Sequence, residues 1–244
     1  LFGGRGGNGA LLRHADAVAF DSSATFHDYK RLIDISAGGL THTVIPIPLN
    51  APFSPDPQSF CLSVNERAQL PKQPYLLMVG SSLPRKNRDL AINLLLYLGA
   101  NSPYQLVFAG AALTAAERNF HETHPLGSLL ISITGPSHPL LNLLYCQAHA
   151  LLFPSFSEGF GWPLVEAQTC CCPVIASTTT SIPEVAGEGA LFAEPNDVET
   201  FAAHVQALEC PDERARLISL GLINTRRYDP LVVGESYRRF AYPP

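Results

Sequence analysis

Ala150-Leu151-Leu152-Phe153, Pro154-Ser155-Phe156-Ser157-Glu158-Gly159-Phe160-Gly161, Trp162-Pro163-Leu164-Val165-Glu166: within one short stretch the chain passes from an apolar run, through a glycine-bearing loop, into a helix. The apolar run is the length of a buried strand, and Pro163 suits the first turn of a helix, where its missing N–H costs nothing. That reading places Glu166 within the first turn and Glu158 in the loop before it. Two carboxylates then converge on the mouth of one helix, and Gly159 and Gly161 clear space for a close backbone approach. An acid in a first turn also complements the helix dipole, a purely structural explanation open to Glu166. Glu158, flanked by glycine, has no comparable packing reason.

Outward from this stretch the chain alternates. Strands are expected at Tyr75–Val79, Gln105–Ala109, Leu129–Thr134, Ala150–Phe153 and Val174–Ala176, with helices near Arg88–Leu98, Ala115–His124, Leu140–Ala148 and Leu164–Thr169. The β-α-β-α order implies an α/β fold, a parallel sheet with helices on both faces, and ligand loops at the carboxyl ends of the strands. Upstream, Ala17–Asp21 and Thr43–Ile47 read as strands around a helix over Ala24–Ile35 that Ser22 or Ser23 would cap. Five prolines between Pro46 and Pro57 make a stiff extended connection, the best boundary in the chain. The division is 1–57, 58–227 and 228–244. Val198–Leu208, Asp212–Thr225 and Leu231–Phe240 form a helical tail.

A second loop carries charge. Gly80-Ser81-Ser82-Leu83-Pro84-Arg85-Lys86-Asn87 follows a strand and leads into a helix, so two cations stand just before a helix N-terminus, where the dipole is already positive. An anion there resolves the conflict: free N–H groups and both side chains can share a diphosphate. A solvated basic turn is the plain alternative. The opening Gly3-Gly4-Arg5-Gly6-Gly7-Asn8-Gly9 has the composition of a phosphate loop but no strand before it, and reads as a flexible leader.

Composition bounds the function. The 244 residues are 46% hydrophobic and 15% charged, enough for a large core, with net charge −5 giving no basic footprint for nucleic acid. The six cysteines lack zinc spacing, and with Cys170, Cys171 and Cys172 adjacent they read as reduced, mostly buried thiols of a cytosolic chain. Leu140–Pro154 is too short and polar to span a bilayer. The chain starts at Leu1 without an initiator methionine and reads as a fragment lacking N-terminal material. The eight histidines are scattered, without a catalytic motif.

Pro154-Ser155 followed by Glu158-Gly159-Phe160-Gly161-Trp162-Pro163-Leu164-Val165-Glu166-Ala167 resembles the Glu-x7-Glu signature of the retaining glycosyltransferases of family 4, or group 1. Val79-Gly80 with Pro84-Arg85-Lys86-Asn87, Phe108-Ala109-Gly110, and Pro173 to Ser177 with Ile182-Pro183-Glu184-Val185 fall in the same family's order, densely over 75–225 and more loosely over 15–48. The resemblance implies a GT-B architecture: a Rossmann-like doubly wound parallel sheet that binds the donor, plus part of a second Rossmann-like domain. It further implies transfer of a hexose from a nucleotide-diphosphate sugar to a saccharide or lipid-linked acceptor with retention, in the cytoplasm or peripherally at the inner face of a membrane. Arg85 and Lys86 would take the diphosphate, Glu166 the ribose and Glu158 the sugar hydroxyls. Gly80, Gly159, Phe160, Gly161, Leu164 and Val165 would lie along the donor, and Gly135 and Pro136 near the base. No cofactor and no metal are expected, since fixed cations and a helix dipole can stabilise the leaving diphosphate.

In two places the chain departs from the family: Cys171 stands where a glycine is usual, which costs stability if φ is positive there, and Tyr228-Asp229-Pro230 replaces a Ser-Trp pair. The alternatives are a non-catalytic nucleotide-binding fragment and a nucleotide-sugar epimerase of the same architecture. A dinucleotide-dependent dehydrogenase is disfavoured, because no Gly-x-Gly-x-x-Gly follows a strand.

Overall fold

The computed structural model describes residues 15–32 and 41–242, so the glycine-rich leader and the expected end of the first helix at Ile35 lie outside the described residues. Strands β1 (Ala17–Phe20) and β2 (Thr41–Val44) pair in parallel, with helix α1 (Ser23–Leu32) between them. Strand β2 begins and ends earlier than the expected Thr43–Ile47. Ile45 still donates to Phe20, but Pro46 has no N–H and the ladder stops there.

The proline-rich connection from Pro46 is not a free tether. Ile47, Leu49 and Phe53 pack on the core, and Ser54 exchanges two hydrogen bonds with the Asn142 side chain, at 2.9 and 3.0 Å. It leads through the short helix α2 (Val64–Arg67) into the main body.

The main sheet comprises β3 (Tyr75–Gly80), β4 (Gln105–Gly110), β5 (Leu130–Thr134), β6 (Ala150–Phe153), β7 (Val174–Ser177) and β8 (Ala190–Ala193). All are parallel, in the order β5-β4-β3-β6-β7-β8. Between them run α3 (Arg88–Leu98), α4 (Ala115–Thr123), α5 (His138–Gln147), α6 (Trp162–Thr169) and α7 (Ile182–Ala186), and α8 (Val198–Ala207), α9 (Pro211–Thr225) and α10 (Pro230–Ala241) follow β8. The doubly wound sheet expected from the alternation is present, with one more strand. Helix α7 and strand β8 lie beyond Ala176, the end of the last strand expected from the sequence, and correct that expectation: each is too short to show a period.

Both faces of the central strands are buried, as apolar runs in parallel sheets must be. Successive residues alternate between faces. Tyr75, Leu77, Val107, Leu151 and Phe153 join Leu144 of α5 and Leu164 of α6 in one cluster. Leu76, Met78, Leu106, Phe108 and Leu152 join Leu94 of α3 and Phe201 of α8 in the other. The strand order reverses between β3 and β6, and at that switch point the loops leaving two neighbouring strand ends diverge to opposite faces and open a crevice.

Candidate functional site

The loop after β3 and the loop after β6 are the two that carry the charged residues. A 3₁₀ turn over Pro84–Lys86 holds the two cations, and Asn87, with φ +55°, caps α3 by accepting from the Leu90 N–H. The Asn87 amide also donates to the carbonyls of Pro154 and Pro195, at 3.1 and 2.6 Å, and the Phe156 N–H donates to the Arg85 carbonyl at 2.8 Å. The two loops are thereby tied backbone to backbone. Arg88, buried against the Phe108 ring at 4.5 Å and paired with Glu117 at 3.3 Å, donates to the Gly80 and Ala111 carbonyls and braces the ends of β3 and β4.

Glu158 is the centre of the arrangement. Its carboxylate lies 2.6 Å from the Arg85 guanidinium through Oε2 and 2.6 Å from the Lys86 ammonium through Oε1. Oε1 meets the Lys86 charge and, among the described residues, has no further polar partner. Glu158 and Lys86 are each 9% exposed, whereas Arg85 reaches solvent along one edge. Gly80 has φ +125°, a conformation that favours glycine, and the end of the Lys86 side chain passes over it. A cavity of about 480 Å³, within the usual range for small-molecule sites, is lined by Leu83, Pro84, Arg85, Ser157, Glu158 and Gly159.

Behind the cavity, the signature loop is held by hydroxyls. Thr180 accepts from the Glu158 N–H at 3.0 Å, in a backbone conformation (φ +52°) that a β-branched residue rarely adopts. The buried Ser181 hydroxyl lies 3.0 Å from both the Glu158 and Phe160 carbonyls. Phe160 itself is buried edge-on against Tyr228, whose hydroxyl donates to the Val185 carbonyl at 2.9 Å. Tyr228 thus fills the interior behind the loop.

Helix α6 begins at Trp162, so Glu166 sits in the second turn, not the first. The correction removes the dipole explanation for that carboxylate. Glu166 is 8% exposed and accepts from the Tyr145 hydroxyl at 2.7 Å. Burial pushes its carboxyl up from the usual range, opposed by the Tyr145 hydrogen bond and the Lys86 charge. The Leu164 and Val165 side chains belong to the core, so only their backbone can face a ligand. Gly135, with φ +57°, and Pro136 lie past the end of β5, where the Gly135 N–H donates to the Gly110 carbonyl at 2.9 Å. They continue the row of strand ends from Gly80 through Gly110 and do not line the cavity.

Several groups at the site had no sequence signal: Asn87 as a brace, Arg88 as a buried tie, Tyr145 as the partner of Glu166, and Ser22, Thr25, Thr180 and Ser181 as loop anchors. Serines and threonines mark turns and caps everywhere, and their long-range partners appear only in three dimensions. All six cysteines are free thiols, but only Cys170 and Cys172 are buried; Cys61 and Cys210 are exposed, a correction to the expectation of mostly buried thiols. Cys61 follows the proline-rich connection and Cys210 immediately precedes α9. Among the described residues no group of three or more metal-ligating side chains converges, and no helix is long and apolar enough to cross a membrane.

A sequence profile described as "Glycosyl transferases group 1" matches residues 64–221. The chain is 33% identical over 186 residues to O-antigen chain mannosyltransferase B of Escherichia coli, covering 72% of this chain and 48% of that protein. It is 32% identical over 160 residues to O-antigen chain mannosyltransferase RfbU of Salmonella typhimurium, covering 59% and 41%. The chain therefore spans less than half the length of either relative. Among solved structures, sucrose-phosphate synthase of Thermosynechococcus elongatus superposes with a TM-score of 0.73 at 25% identity, over 96% of this chain and 60% of that one. HepE of Anabaena, solved with UDP and glucose, superposes with a TM-score of 0.73 at 18% identity, over 97% and 65%. With the sheet order, the two loops at the switch point and the matched span in agreement, the chain belongs to the group 1 glycosyl transferases and has the Rossmann-like α/β fold of GT-B glycosyltransferases.

Proposed function

We propose that this chain is the donor-binding part of a retaining family 4 hexosyltransferase, which moves a sugar from a nucleotide-diphosphate carrier to a saccharide or lipid-linked acceptor. The observation that carries the reading is the Glu158 carboxylate seated between Arg85 and Lys86 at the switch point. Two cations there face a single carboxylate, which leaves net positive charge at the cavity, and a diphosphate is the ligand that matches it in charge and size.

On this reading Arg85 and Lys86 take the diphosphate as it enters, and Glu158 turns its freed oxygens to the sugar hydroxyls. The start of α6 adds its dipole rather than a row of N–H groups, because Pro163 has no N–H and the Leu164 N–H donates to the Gly161 carbonyl at 3.0 Å. Cleavage of the sugar–phosphate bond builds negative charge on the leaving oxygen, and two fixed cations and a helix dipole stabilise it without a metal. Glu166 holds the ribose hydroxyls, with Tyr145 fixing its orientation, and Gly135 and Pro136 border the base. Residues 1–57 would then be the end of the acceptor-side domain, 58–227 the donor domain and 228–244 a closing helix. The named relatives favour mannose and a growing O-antigen chain, in the cytoplasm or against the inner face of a membrane.

The test is hexose transfer from a panel of UDP- and GDP-sugars to a saccharide acceptor, with the anomeric configuration of the product read by NMR. Arg85→Ala/Lys86→Ala is expected to lower turnover at least about tenfold through loss of charge stabilisation. Unchanged kinetics in the folded double variant would refute the assignment.

A further inference from the structure

The signature loop is anchored from an unexpected quarter. Ser22, fully buried, donates from its hydroxyl to the Gly159 carbonyl at 2.8 Å, and the Thr25 hydroxyl donates to the same oxygen at 3.2 Å. Ser22 immediately precedes α1 and Thr25 lies in its first turn, more than 130 residues upstream of Gly159. That helix is fixed in turn: the Ser23 N–H meets both oxygens of Glu184 at 3.0 and 2.9 Å, and the Ser23 hydroxyl donates to Glu184 at 3.1 Å. A carboxylate at a helix N-terminus is favoured by free N–H groups and dipole together.

The loop has reason to need this. Glu158-Gly159-Phe160-Gly161 contains two glycines, which lose more conformational entropy on ordering than any other residue. Ser181 holds the carbonyls of Glu158 and Phe160, which leaves the Gly159 carbonyl between them free to rotate. A trans peptide is planar, with its C=O and N–H pointing in opposite directions. Fixing the Gly159 oxygen therefore also fixes the direction of the Phe160 N–H and the placement of Gly159 at the cavity wall.

We propose that Ser22 and Thr25 are positioning residues of the donor site. From the N-terminal segment they lock the Gly159–Phe160 peptide, and the Ser23–Glu184 contact keeps α1 docked so that they can. The inference rests on the donor-site reading above. Its consequence is that the donor loop takes its working shape only while the N-terminal segment is seated on it.

The experiment compares the full chain with Ser22→Ala/Thr25→Ala and, because that pair alters packing, with the near-isosteric Thr25→Val. UDP and GDP are titrated by calorimetry, and amide hydrogen exchange of Phe160 and Gly161 is followed without ligand. If the parent chain binds either nucleotide, the double variant is expected to bind it roughly tenfold more weakly, the effect of one to two lost net hydrogen bonds. Thr25→Val should show a smaller loss in the same direction, and Thr25→Ser should restore parental affinity. Affinity within twofold of the parent in the folded double variant overturns the proposal. If the parent binds neither nucleotide, the donor reading fails by itself and exchange decides the anchor: faster exchange at Phe160 and Gly161 in the double variant supports it, and unchanged exchange overturns it.

Discussion

Glu158 holds two cations with one carboxylate, and the consequences of removing either partner follow from burial. Lys86→Met leaves Glu158, 9% exposed, with Arg85 alone; the variant is expected to lose about 3 kcal/mol of stability, read by urea denaturation, because a buried charge is left half-compensated. Glu166 behaves oppositely. Its carboxyl is pushed up chiefly by burial, so the folded chain holds that proton more tightly than the unfolded chain does. The stability it contributes is full below the unfolded-state pKa and is lost as pH rises through the folded one. Glu166→Gln keeps an acceptor for the Tyr145 hydroxyl and never ionises. It is expected to melt above the parent at pH 8, with the gap closing as pH falls into the ordinary carboxylate range, while nucleotide affinity drops. Cys171 sits at φ +56°, the strained left-handed conformation that glycine adopts without cost. Cys171→Gly is therefore expected to gain about 0.5–1 kcal/mol in thermal unfolding, the relief exceeding glycine's added unfolded-state entropy.

Elements matter here through how their ends are brought together. Strands β3 and β4 run in register from Tyr75 opposite Gln105 to Gly80 opposite Gly110, and both glycines have positive φ. A Cβ on Gly110 would stand 2.5 Å from the Gly80 carbonyl oxygen. Gly110→Ala must therefore move the end of β3 and the loop bearing Arg85 and Lys86. A loss of about 3 kcal/mol is expected, together with weakened UDP or GDP binding by calorimetry. The strands and helices of the main body were legible because long apolar runs alternate with capped helical stretches, as at Ala150–Phe153 and Arg88–Leu98, where the expected bounds match those found. The strand without a local signal, Ala190–Ala193, is a four-residue edge strand that exists because Val174–Ser177 offers it a partner. The start of α6 has no sharp local signal either: Pro163 fits more than one position of a first turn, and with Trp162 as the first helical residue Glu166 falls in the second turn.

At the scale of the whole molecule, two apolar clusters sandwich one sheet, so the amides of β3, β4 and β6 should exchange slowest with solvent. Comparable protection in α10, which buries only Val233, would contradict that layering. The sequence by itself determined the parallel α/β class and the two loops that meet at the switch point, because strand ends and helix starts are local features that apolar runs, prolines and glycines mark. Tertiary structure alone decided which groups restrain those loops. The pairing of Glu158 with both cations, the Tyr145 hydroxyl on Glu166 and the Ser22 and Thr25 hydroxyls on Gly159 join residues far apart in the chain. A hydroxyl's partner depends on which surfaces packing brings within about 3 Å, and no local pattern records that.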